Sequence, residues 1–411
     1  MEKEKSVIIF SREYPPNLVG GTAVVACSTA RGLRKLGYHV TVVTSQNKDV
    51  VINEDGVDII SIGQDIYQQN TGMSDSNIKY HMRVLAFLKD RVKISPDIVL
   101  VPDLFSYPEA YLFAKKNSIP IINILLQDFR KMVIYDRAET HKVADGVNGF
   151  PKHLLEIEKK SLLYSDANVF ISKALYKSIC DFYNIDERRC HIVYLGIDKE
   201  ELTEAQSQSN NILKKEICAE DRKLIMSIGR FVPVKGFDKL IEAFSLIHSQ
   251  APESFLCILG RGPEREYLED LIVKLNLKNS IKLLYEPDRK KVVSLMNTCD
   301  IAVVPSLWES FCYVAAEFMG LEKPIVVSGV DSLNELIIHN ECGLICPVEE
   351  NQNKRQININ NLAENISILY NDEDLSRSLG KKAKERAYTI FNNDRFALEL
   401  SNVINSYLGK K

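Results

Sequence analysis

Short apolar runs alternate with stretches of helical periodicity along almost the whole chain, and this pattern occurs twice. Six apolar runs in the first half are predicted to be strands, at 7–11, 40–44, 98–101, 119–125, 167–171 and 192–195. Six more follow in the second half, at 224–228, 255–259, 281–284, 301–305, 324–328 and 344–347. Strands that alternate with helices form parallel sheets joined by right-handed crossovers. The sequence therefore predicts an α/β protein with two doubly wound domains and a ligand cleft between them.

The boundary between the two predicted domains lies near residue 200. The segment 198–221 is polar and contains AQSQSNN, so it is interpreted as a linker followed by a short helix. We therefore place the N-terminal domain at 1–200 and the C-terminal domain at 201–389. The tail from Leu362 onward is predicted to be helical.

Composition excludes several classes of protein. The net charge of the 411 residues is −3, and no basic tract with interleaved aromatic residues occurs, so no nucleic-acid partner is predicted. No apolar stretch reaches the roughly 18 residues of a membrane span, and the start MEKEKSVIIF has no apolar run typical of a signal peptide. Nine cysteines scattered over apolar segments fit the cytoplasmic protein that we expect. Cys342 and Cys346 lack a histidine pair, so no metal site is predicted.

The strand predicted at 301–305 leads into a polar turn, and this turn is predicted to open a helix that carries Glu309 and Glu317. A helix N-terminus at the end of a buried strand binds anions through its free backbone N–H groups and its dipole. The spacing E-x7-E is slightly over two helical turns, so both carboxylates are expected to face the same cleft. Carboxylates beside a phosphate site indicate that sugar hydroxyls are bound there as well.

A pair of cations follows the strand that ends at Gly229. Arg230 and Lys235 have the spacing R-x4-K ahead of a predicted helix. Arginine offers a planar fork to phosphate oxygens, and lysine offers a point charge. These two cations are predicted to neutralise a diphosphate leaving group, although by themselves they would also fit an ordinary surface pair. The two downstream glutamates favour the functional interpretation.

Two glycine-containing turns are further candidates for ligand contact. Gly20 and Gly21 lie between the first strand and its helix, where they let the backbone approach a ligand closely. Gly260 and Arg261 begin a G-x-G turn after another strand, but Arg265 stands where a dinucleotide fingerprint requires its third glycine. A single G-x-G is weak as a signal, and either turn could simply join a strand to a helix.

The G-G loop, R-x4-K and E-x7-E, in this order and after predicted strands, resemble the signature of retaining glycosyltransferases with the GT-B fold (glycosyltransferase family 4-like, glycosyl transferases group 1). The resemblance extends from Ser6 to about Phe391 and is strongest across 226–241 and 301–338. It implies two Rossmann-like domains facing each other across a cleft, with a last helix, about 390–411, that packs back on the first domain. It also implies transfer of a sugar from a nucleoside diphosphate sugar, most commonly UDP or GDP, to an acceptor hydroxyl with retained anomeric configuration.

The resemblance also implies roles for individual residues. Arg230 and Lys235 would hold the diphosphate in place of a divalent metal ion, so that neither metal nor cofactor is needed. Glu309 would accept hydrogen bonds from donor-sugar hydroxyls, Glu317 would bind the ribose, and Asp128 would lie near the acceptor or the reacting carbon. The other expected donor-binding positions are Gly20, Gly21, Gly260, Arg261, Tyr285, Ser310, Phe311, Cys312 and Tyr313.

The sequence departs from the family pattern at three places. Gln127 occupies the position of a histidine found in many relatives, Cys312 replaces a glycine, and Asp331-Ser332 replaces a pair of glycines. Glutamine can hydrogen-bond a hydroxyl but cannot take a proton, so a histidine-dependent role is in doubt while the fold is not. Cys312 would narrow the sugar pocket or alter the choice of donor.

Several alternatives stay open at this point. A nucleotide-sugar epimerase of the same fold, or a non-catalytic nucleotide-sugar-binding protein, would share these motifs. The acceptor, whether glycan, lipid-linked or small molecule, is not predicted, and neither is the oligomeric state; the polar stretches 63–79 and 128–151 are candidates for acceptor contact. A basic helix edge at Arg31, Arg34 and Lys35 leaves peripheral contact with the inner face of a membrane open.

Overall fold

The computed structural model describes residues 5–16, 20–63, 73–91, 95–131, 150–207, 210–217, 219, 221–351 and 354–408. These residues form two compact units, each with its own sheet. The first unit contains the described residues up to Arg130, residues 150–196 and residues 393–408, and the second contains residues 197–392. Within the two predicted acceptor stretches, 63–79 and 128–151, residues 64–72 and 132–149 lie outside the described residues.

The first unit is built on a twisted sheet with the strand order β3-β4-β2-β1-β5-β6-β7-β8, in which β3 is antiparallel to β4 and the remaining pairs are parallel. The strands are β1 (Ser6–Phe10), β2 (His39–Gln46), β3 (Val50–Glu54), β4 (Val57–Gly63), β5 (Ile98–Val101), β6 (Ile121–Leu125), β7 (Ala167–Phe170) and β8 (Cys190–Ile192). The apolar runs of β1, β5 and β6 are buried, as expected for parallel strands covered on both faces. The direction of strand addition reverses between β1 and β5, and in such sheets this is where ligands bind.

The described helices of the first unit include one that comes from the far end of the chain. They are α1 (Gly21–Lys35), α2 (Met73–Arg91), α3 (Tyr107–Asn117), α4 (Phe150–Tyr164), α5 (Lys173–Cys180) and α15 (Asn393–Tyr407). Helix α15 lies against α1 so closely that a Cβ atom at Gly32 would be 2.6 Å from the Cβ of Ala397. The Tyr38 hydroxyl is 2.8 Å from the Ser401 hydroxyl. Helix α15 is therefore an integral part of the first unit.

The hairpin β3–β4 was not among the predicted strands. Asp55 and Gly56 form its turn with φ values of 53° and 78°, the left-handed conformation that a two-residue hairpin requires. The dipeptide Asp-Gly is a known signal for this turn, but β3 is an exposed edge strand with little apolar periodicity. Strand β8 also lies earlier than predicted, since it ends at Ile192.

The second unit is built on a parallel sheet with the strand order β11-β10-β9-β12-β13-β14. These strands are β9 (Lys223–Ile228), β10 (Ser254–Leu259), β11 (Ile281–Leu284), β12 (Ile301–Val304), β13 (Ile325–Ser328) and β14 (Leu344–Cys346). The order reverses between β9 and β12, so both units have the doubly wound topology and the predicted α/β class is confirmed. An antiparallel pair that was not predicted, β15 (Val348–Asn351) and β16 (Lys354–Ile357), follows β14.

Helices cover the sheet of the second unit. The described ones are α6 (Lys199–Gln206), α7 (Asn210–Glu216), α8 (Phe237–Gln250), α9 (Arg265–Lys274), α10 (Arg289–Thr298), α11 (Tyr313–Gly320), α12 (Leu333–Leu336), α13 (Ile359–Asn371) and α14 (Glu373–Ile390). The interpretation of 198–206 as a linker was wrong. Asp198 caps α6 by accepting hydrogen bonds from the backbone N–H groups of Glu200 and Glu201, and Leu202 and Ala205 are buried. Within the described ranges, no helix is long and apolar enough to cross a membrane.

Candidate active site

Two loops meet at the point where the strand order of the second sheet reverses. The loop after β9 carries Arg230 and a short 3-10 turn, Pro233–Lys235, and the loop after β12 carries Glu309. A hydrogen bond of 2.7 Å from the Leu307 N–H to the Val234 carbonyl joins the loops. They also pack closely at Gly236, where a Cβ atom would come within 2.2 Å of the Pro305 carbonyl oxygen. Gly236 has a φ of 61° as well, so this position requires glycine for two reasons.

The ammonium group of Lys235 pairs with the carboxylate of Glu309. The distance from Nζ to Oε1 is 2.6 Å, and the Ser306 hydroxyl donates to the same Oε1 at 2.7 Å. Burial lowers the pKa of Lys235, but the charge of Glu309, its hydrogen bond and the neighbouring Cys312 together outweigh this effect and raise the pKa above its ordinary value. Arg230 opposes this rise as a like charge. Lys235 therefore stays charged at neutral pH, while its side chain remains 21% exposed. A fixed cation beside a fixed carboxylate can bind an anion and a hydroxyl group side by side.

Glu309 does not lie on a helix, which corrects the sequence prediction. Helix α11 begins at Tyr313, and residues 305–312 form a turn that leads into it. The turn is held by side chains, because the Ser332 hydroxyl donates to the Glu309 carbonyl at 3.0 Å in addition to the Ser306 contact. The expectation that helical spacing turns the carboxylates of Glu309 and Glu317 toward the same cleft therefore does not apply. Both residues belong to the second unit.

Cys312 directly precedes helix α11 in a backbone conformation that favours glycine. Its φ is 77° and its ψ is 78°. Side chains other than glycine cost about 1–2 kcal/mol in the left-handed region, which explains why a glycine is expected at this position. Burial raises the pKa of the Cys312 thiol well above its ordinary value, and the nearby Glu309 charge raises it further, so the thiol stays protonated.

The left-handed backbone at Cys312 leads to a prediction about the stability of variants at this position. We expect Cys312→Gly to be at least as stable as Cys312→Ala, and Cys312→Val to be less stable than Cys312→Gly by about 1–2 kcal/mol or more, because β-branched residues tolerate a positive φ least. Urea unfolding of the three variants, followed by circular dichroism, measures these differences. A valine variant as stable as the glycine variant would show that the backbone at this position is not left-handed.

Glu317 lies on α11 and is held by an arginine that the sequence reasoning missed. Arg289, the first residue of α10, contacts both carboxylate oxygens of Glu317, with 3.3 Å from Nη1 to Oε2. The same guanidinium binds Glu201 of α6 at 2.8 and 3.0 Å. Burial raises the pKa of Glu317, and the charge of Arg289 counteracts this. No spacing rule connects Arg289 with Glu201 or Glu317 in the sequence, since the three come from different helices.

Three of the predicted donor-binding residues, Gly260, Arg261 and Tyr285, belong to another part of the second unit. The guanidinium carbon of Arg261 lies 5.0 Å from the centroid of the Tyr285 ring, and both side chains are exposed. The packing at position 260 requires a glycine, because a Cβ atom there would lie 1.9 Å from the Gly229 carbonyl oxygen. This exposed arginine–tyrosine pair offers a surface on which a planar group could stack.

The remaining predicted donor-binding residues surround the start of helix α11. Phe311 is buried, with its ring 5.3 Å from that of Tyr313 and 5.9 Å from that of Phe391. Ser310 is partly exposed, beside Glu309. Phe311 therefore anchors the turn, and the start of helix α11 follows β12 at the same edge of the parallel sheet as Lys235, which follows β9. Their predicted contact with a sugar or phosphate stays a prediction.

In the first unit, Gly20 and Gly21 form the start of α1 at the end of the loop after β1. Both are exposed, and nothing lies within 4 Å of a Cβ atom built at Gly20. The Gly20 N–H donates a hydrogen bond to the carboxylate of Glu13, whose pKa is nevertheless raised, chiefly by burial. An open glycine at a helix start fits a close approach to a ligand, and the role of both glycines stays a prediction.

Asp128 lies in a different setting from the one expected for a group near the acceptor. Its side chain is fully buried and binds Arg130 through two hydrogen bonds, at 2.6 and 3.1 Å. The Ser178 hydroxyl donates to the same carboxylate at 2.6 Å. These contacts give Asp128 a structural role in joining the loop after β6 to helix α5, and its catalytic role stays a prediction.

Metal ligation finds no support in the described part of the chain. Across those residues, no group of three or more His, Cys, Asp or Glu side chains is arranged to hold a metal ion. Cys342 and Cys346 are both buried, and neither is in a disulfide.

Comparison with known proteins identifies the family. The chain is 24% identical over 420 residues to an uncharacterized glycosyltransferase of Methanocaldococcus jannaschii, with 95% of both chains covered. The structure is similar to sucrose-phosphate synthase from Thermosynechococcus elongatus, with a TM-score of 0.79, 19% identity and coverage of 98% and 99% of the two chains. It is also similar to HepE of Anabaena in complex with UDP and glucose, with a TM-score of 0.72, 16% identity and coverage of 98% and 100%.

Two family matches divide the chain between them. Residues 19–201 match Glycosyltransferase Family 4, and residues 208–386 match Glycosyl transferases group 1. The first match falls mostly in the first unit, and the second falls within the second unit, which contains Lys235, Glu309 and Glu317. The chain is therefore a glycosyltransferase enzyme and belongs to the glycosyltransferases with the GT-B fold.

Proposed function

We propose that this glycosyltransferase moves a sugar from a nucleoside diphosphate sugar to a hydroxyl group of its acceptor and retains the anomeric configuration. The Lys235–Glu309 pair at the strand-order reversal of the second sheet carries this proposal. It offers a cation for a diphosphate and, 2.6 Å away, a carboxylate for sugar hydroxyls. The complex of HepE with UDP and glucose supports this class of donor.

The chemistry assigns a separate task to each charged group. The bond from the anomeric carbon to the diphosphate oxygen breaks, and the electron pair stays with the diphosphate. Lys235 and Arg230 stabilise this developing negative charge. The acceptor oxygen forms the new bond to the anomeric carbon on the same face, and the leaving phosphate takes the hydroxyl proton. Glu309 holds the donor sugar through its hydroxyl groups, so that the reacting carbon stays in place.

Metal-independent catalysis is part of this proposal. The raised pKa of Lys235 supports it, because a permanently charged ammonium group can take over the neutralisation that a divalent ion provides in other transferases. Turnover is then expected to be the same with Mg²⁺ and with excess EDTA. A loss of turnover in EDTA that Mg²⁺ restores would contradict this part of the proposal.

A ligand screen tests the donor site. The melting temperature is measured with UDP-, GDP-, ADP- and dTDP-glucose and with GDP-mannose, for the wild type and for Lys235→Ala. A ligand that binds only the folded protein stabilises it by about 2.7 kcal/mol at 100 times its Kd, which is a measurable shift. A shift with one nucleotide in the wild type, reduced in the variant, supports the proposed site. No shift with any of these donors would contradict it.

Product analysis separates the proposal from its alternatives. The donor found in the screen is incubated with the enzyme, and slow release of its sugar is monitored by NMR. A released sugar with the donor's anomeric configuration indicates a retaining transferase. An epimerase would instead return a changed nucleotide sugar without needing an acceptor. A non-catalytic binding protein would give a thermal shift and no product, and either result would replace the proposed activity.

A further inference from the structure

The side chain of Arg355 reaches from β16 to the turn that carries Glu309. Its Nη1 donates to the Leu307 carbonyl at 2.9 Å. The guanidinium also pairs with both carboxylate oxygens of Asp331, with 3.1 Å from Nη2 to Oδ1. The Arg355 side chain is only 10% exposed, so this arrangement is held away from solvent. An unpredicted strand pair thus contacts the candidate donor site directly.

Asp331 and Ser332 hold the same turn from the adjacent loop, after β13. Ser332 is buried, and its hydroxyl donates to the Glu309 carbonyl at 3.0 Å. Asp331 has a φ of 37°, which is uncommon for a residue other than glycine, and this conformation brings its carboxylate to Arg355. The two positions where the family pattern has glycines therefore carry side chains that fix the Glu309 turn.

The turn is also fixed on its other side. The Leu307 N–H donates to the Val234 carbonyl at 2.7 Å, next to Lys235. The backbone of Leu307 is thus held through its N–H by the Lys235 loop and through its carbonyl by Arg355. Because the planar fork of arginine binds a carboxylate and a carbonyl in fixed directions, Arg355 limits the positions that the turn can adopt.

We propose that Arg355, together with Asp331, is a positioning residue that sets the place of Glu309 and thereby the recognition of the donor sugar. The part of this inference that concerns sugar recognition rests on the proposed function, but the positioning of the Glu309 turn can be tested without a ligand. Glu309 needs to be held to well within 1 Å to orient sugar hydroxyls, since a misplacement of that size can lower the rate about 10²-fold. Binding of the nucleotide part, which does not involve Glu309, is expected to be independent of Arg355.

The chain provides a matched control for Arg355. On the side away from Leu307, Arg355 Nε contacts Glu350 Oε2 at 3.0 Å, and the Glu350 side chain is 43% exposed. Glu350→Gln removes the negative charge of this ion pair and leaves the contacts of Arg355 to Leu307 and Asp331 in place. The informative variants are Arg355→Ala, Arg355→Lys and the isosteric Asp331→Asn, which removes the partner charge with little change of shape.

The ligand-free test is amide hydrogen exchange of peptides that span residues 305–312. We expect exchange there to be at least about 10-fold faster in Arg355→Ala and Asp331→Asn than in the wild type, while the peptides of β9 and β12 exchange as before. Glu350→Gln should match the wild type. Unchanged exchange at 305–312 in a folded Arg355 or Asp331 variant would overturn the proposal, whatever the donor turns out to be.

The ligand test uses the donor from the thermal-shift screen and its nucleoside diphosphate without the sugar. In Arg355→Ala we expect kcat to fall about 10- to 100-fold, with binding of the free diphosphate unchanged within about 2-fold and partial recovery in Arg355→Lys. An equal loss for the diphosphate and the nucleotide sugar would overturn the assignment to the sugar. If Arg355→Ala does not fold, Asp331→Asn and Arg355→Lys decide the question. A wild type that binds no donor would contradict the proposed function, and the exchange result would still decide the positioning.

Discussion

Replacing Lys235 with alanine will lower kcat by about 10²–10³-fold, which is the usual effect of removing one group that stabilises transition-state charge. The physical reason is that, in the proposed mechanism, Lys235 places a full positive charge where the leaving diphosphate gains its negative charge, and its raised pKa keeps that charge present across neutral pH. Arg230→Ala should lower kcat less, because Arg230 is exposed and its charge is more strongly screened by water and salt. Steady-state kinetics with the donor from the screen measures both.

Lys239 provides the matched control for this prediction. It lies in the first turn of α8, carries the same charge and forms ion pairs of 3.1 Å with Asp238 and 3.3 Å with Glu242. Lys239→Ala should leave kcat unchanged within about 2-fold, because surface ion pairs contribute little. Equal losses in Lys235→Ala and Lys239→Ala, or a folded Lys235→Ala with normal turnover, would show that Lys235 does not stabilise the leaving group.

Glu309→Gln has the second-largest expected effect. The substitution keeps the shape of the side chain but removes its charge, and hydrogen bonds to a charged group contribute about 1.5–3 kcal/mol, so we expect kcat to fall about 10- to 150-fold. The neighbouring Ser306→Ala variant removes one donor to Glu309 Oε1 and should have a smaller effect in the same direction. Normal turnover in Glu309→Gln would exclude the predicted role in sugar binding.

The pH dependence of Glu309→Gln tests the coupling to Lys235 separately. Since the negative charge of Glu309 raises the pKa of Lys235, its removal lowers that pKa. Lys235 then loses its proton at a lower pH, and the alkaline decline of kcat/KM should begin at a lower pH than in the wild type. An alkaline decline at the same pH in both proteins would mean that the titration of Lys235 does not limit the reaction.

Much of the fold follows from local patterns in the sequence. Buried parallel strands such as β1 and β12 are continuous apolar runs, and such runs differ clearly from helices and loops. The edge strand β3 and the helix α6 have weak patterns, because β3 buries none of its residues and α6 buries only Leu202 and Ala205. Their positions are decided by tertiary contacts and by turn and cap residues, which a search for apolar periodicity does not detect.

The candidate site likewise has residues that local sequence patterns predict and residues that they do not. Lys235 and Glu309 could be predicted because each follows a buried strand, and the ends of neighbouring parallel strands lie at one edge of a sheet. The helical position of Glu309 was wrong because residues 309–320 look helical throughout, while the positive φ of Cys312 delays the helix to Tyr313. Arg289 and Arg355 could not be predicted, because their carboxylate partners are distant in sequence and no periodicity relates them.

Helix α15 affects the order in which the protein matures during synthesis. Residues 393–408 complete the first unit by covering α1 at Gly32 and by binding Tyr38, yet the ribosome makes them after the whole of the second unit. Domains generally fold as units while the chain emerges, N-terminal parts first. Here the second unit has its whole chain available before the first unit does, so the first unit keeps one helix-binding face uncovered until residues 393–408 have been made. The two units therefore reach their final structures in the reverse of their order in the sequence.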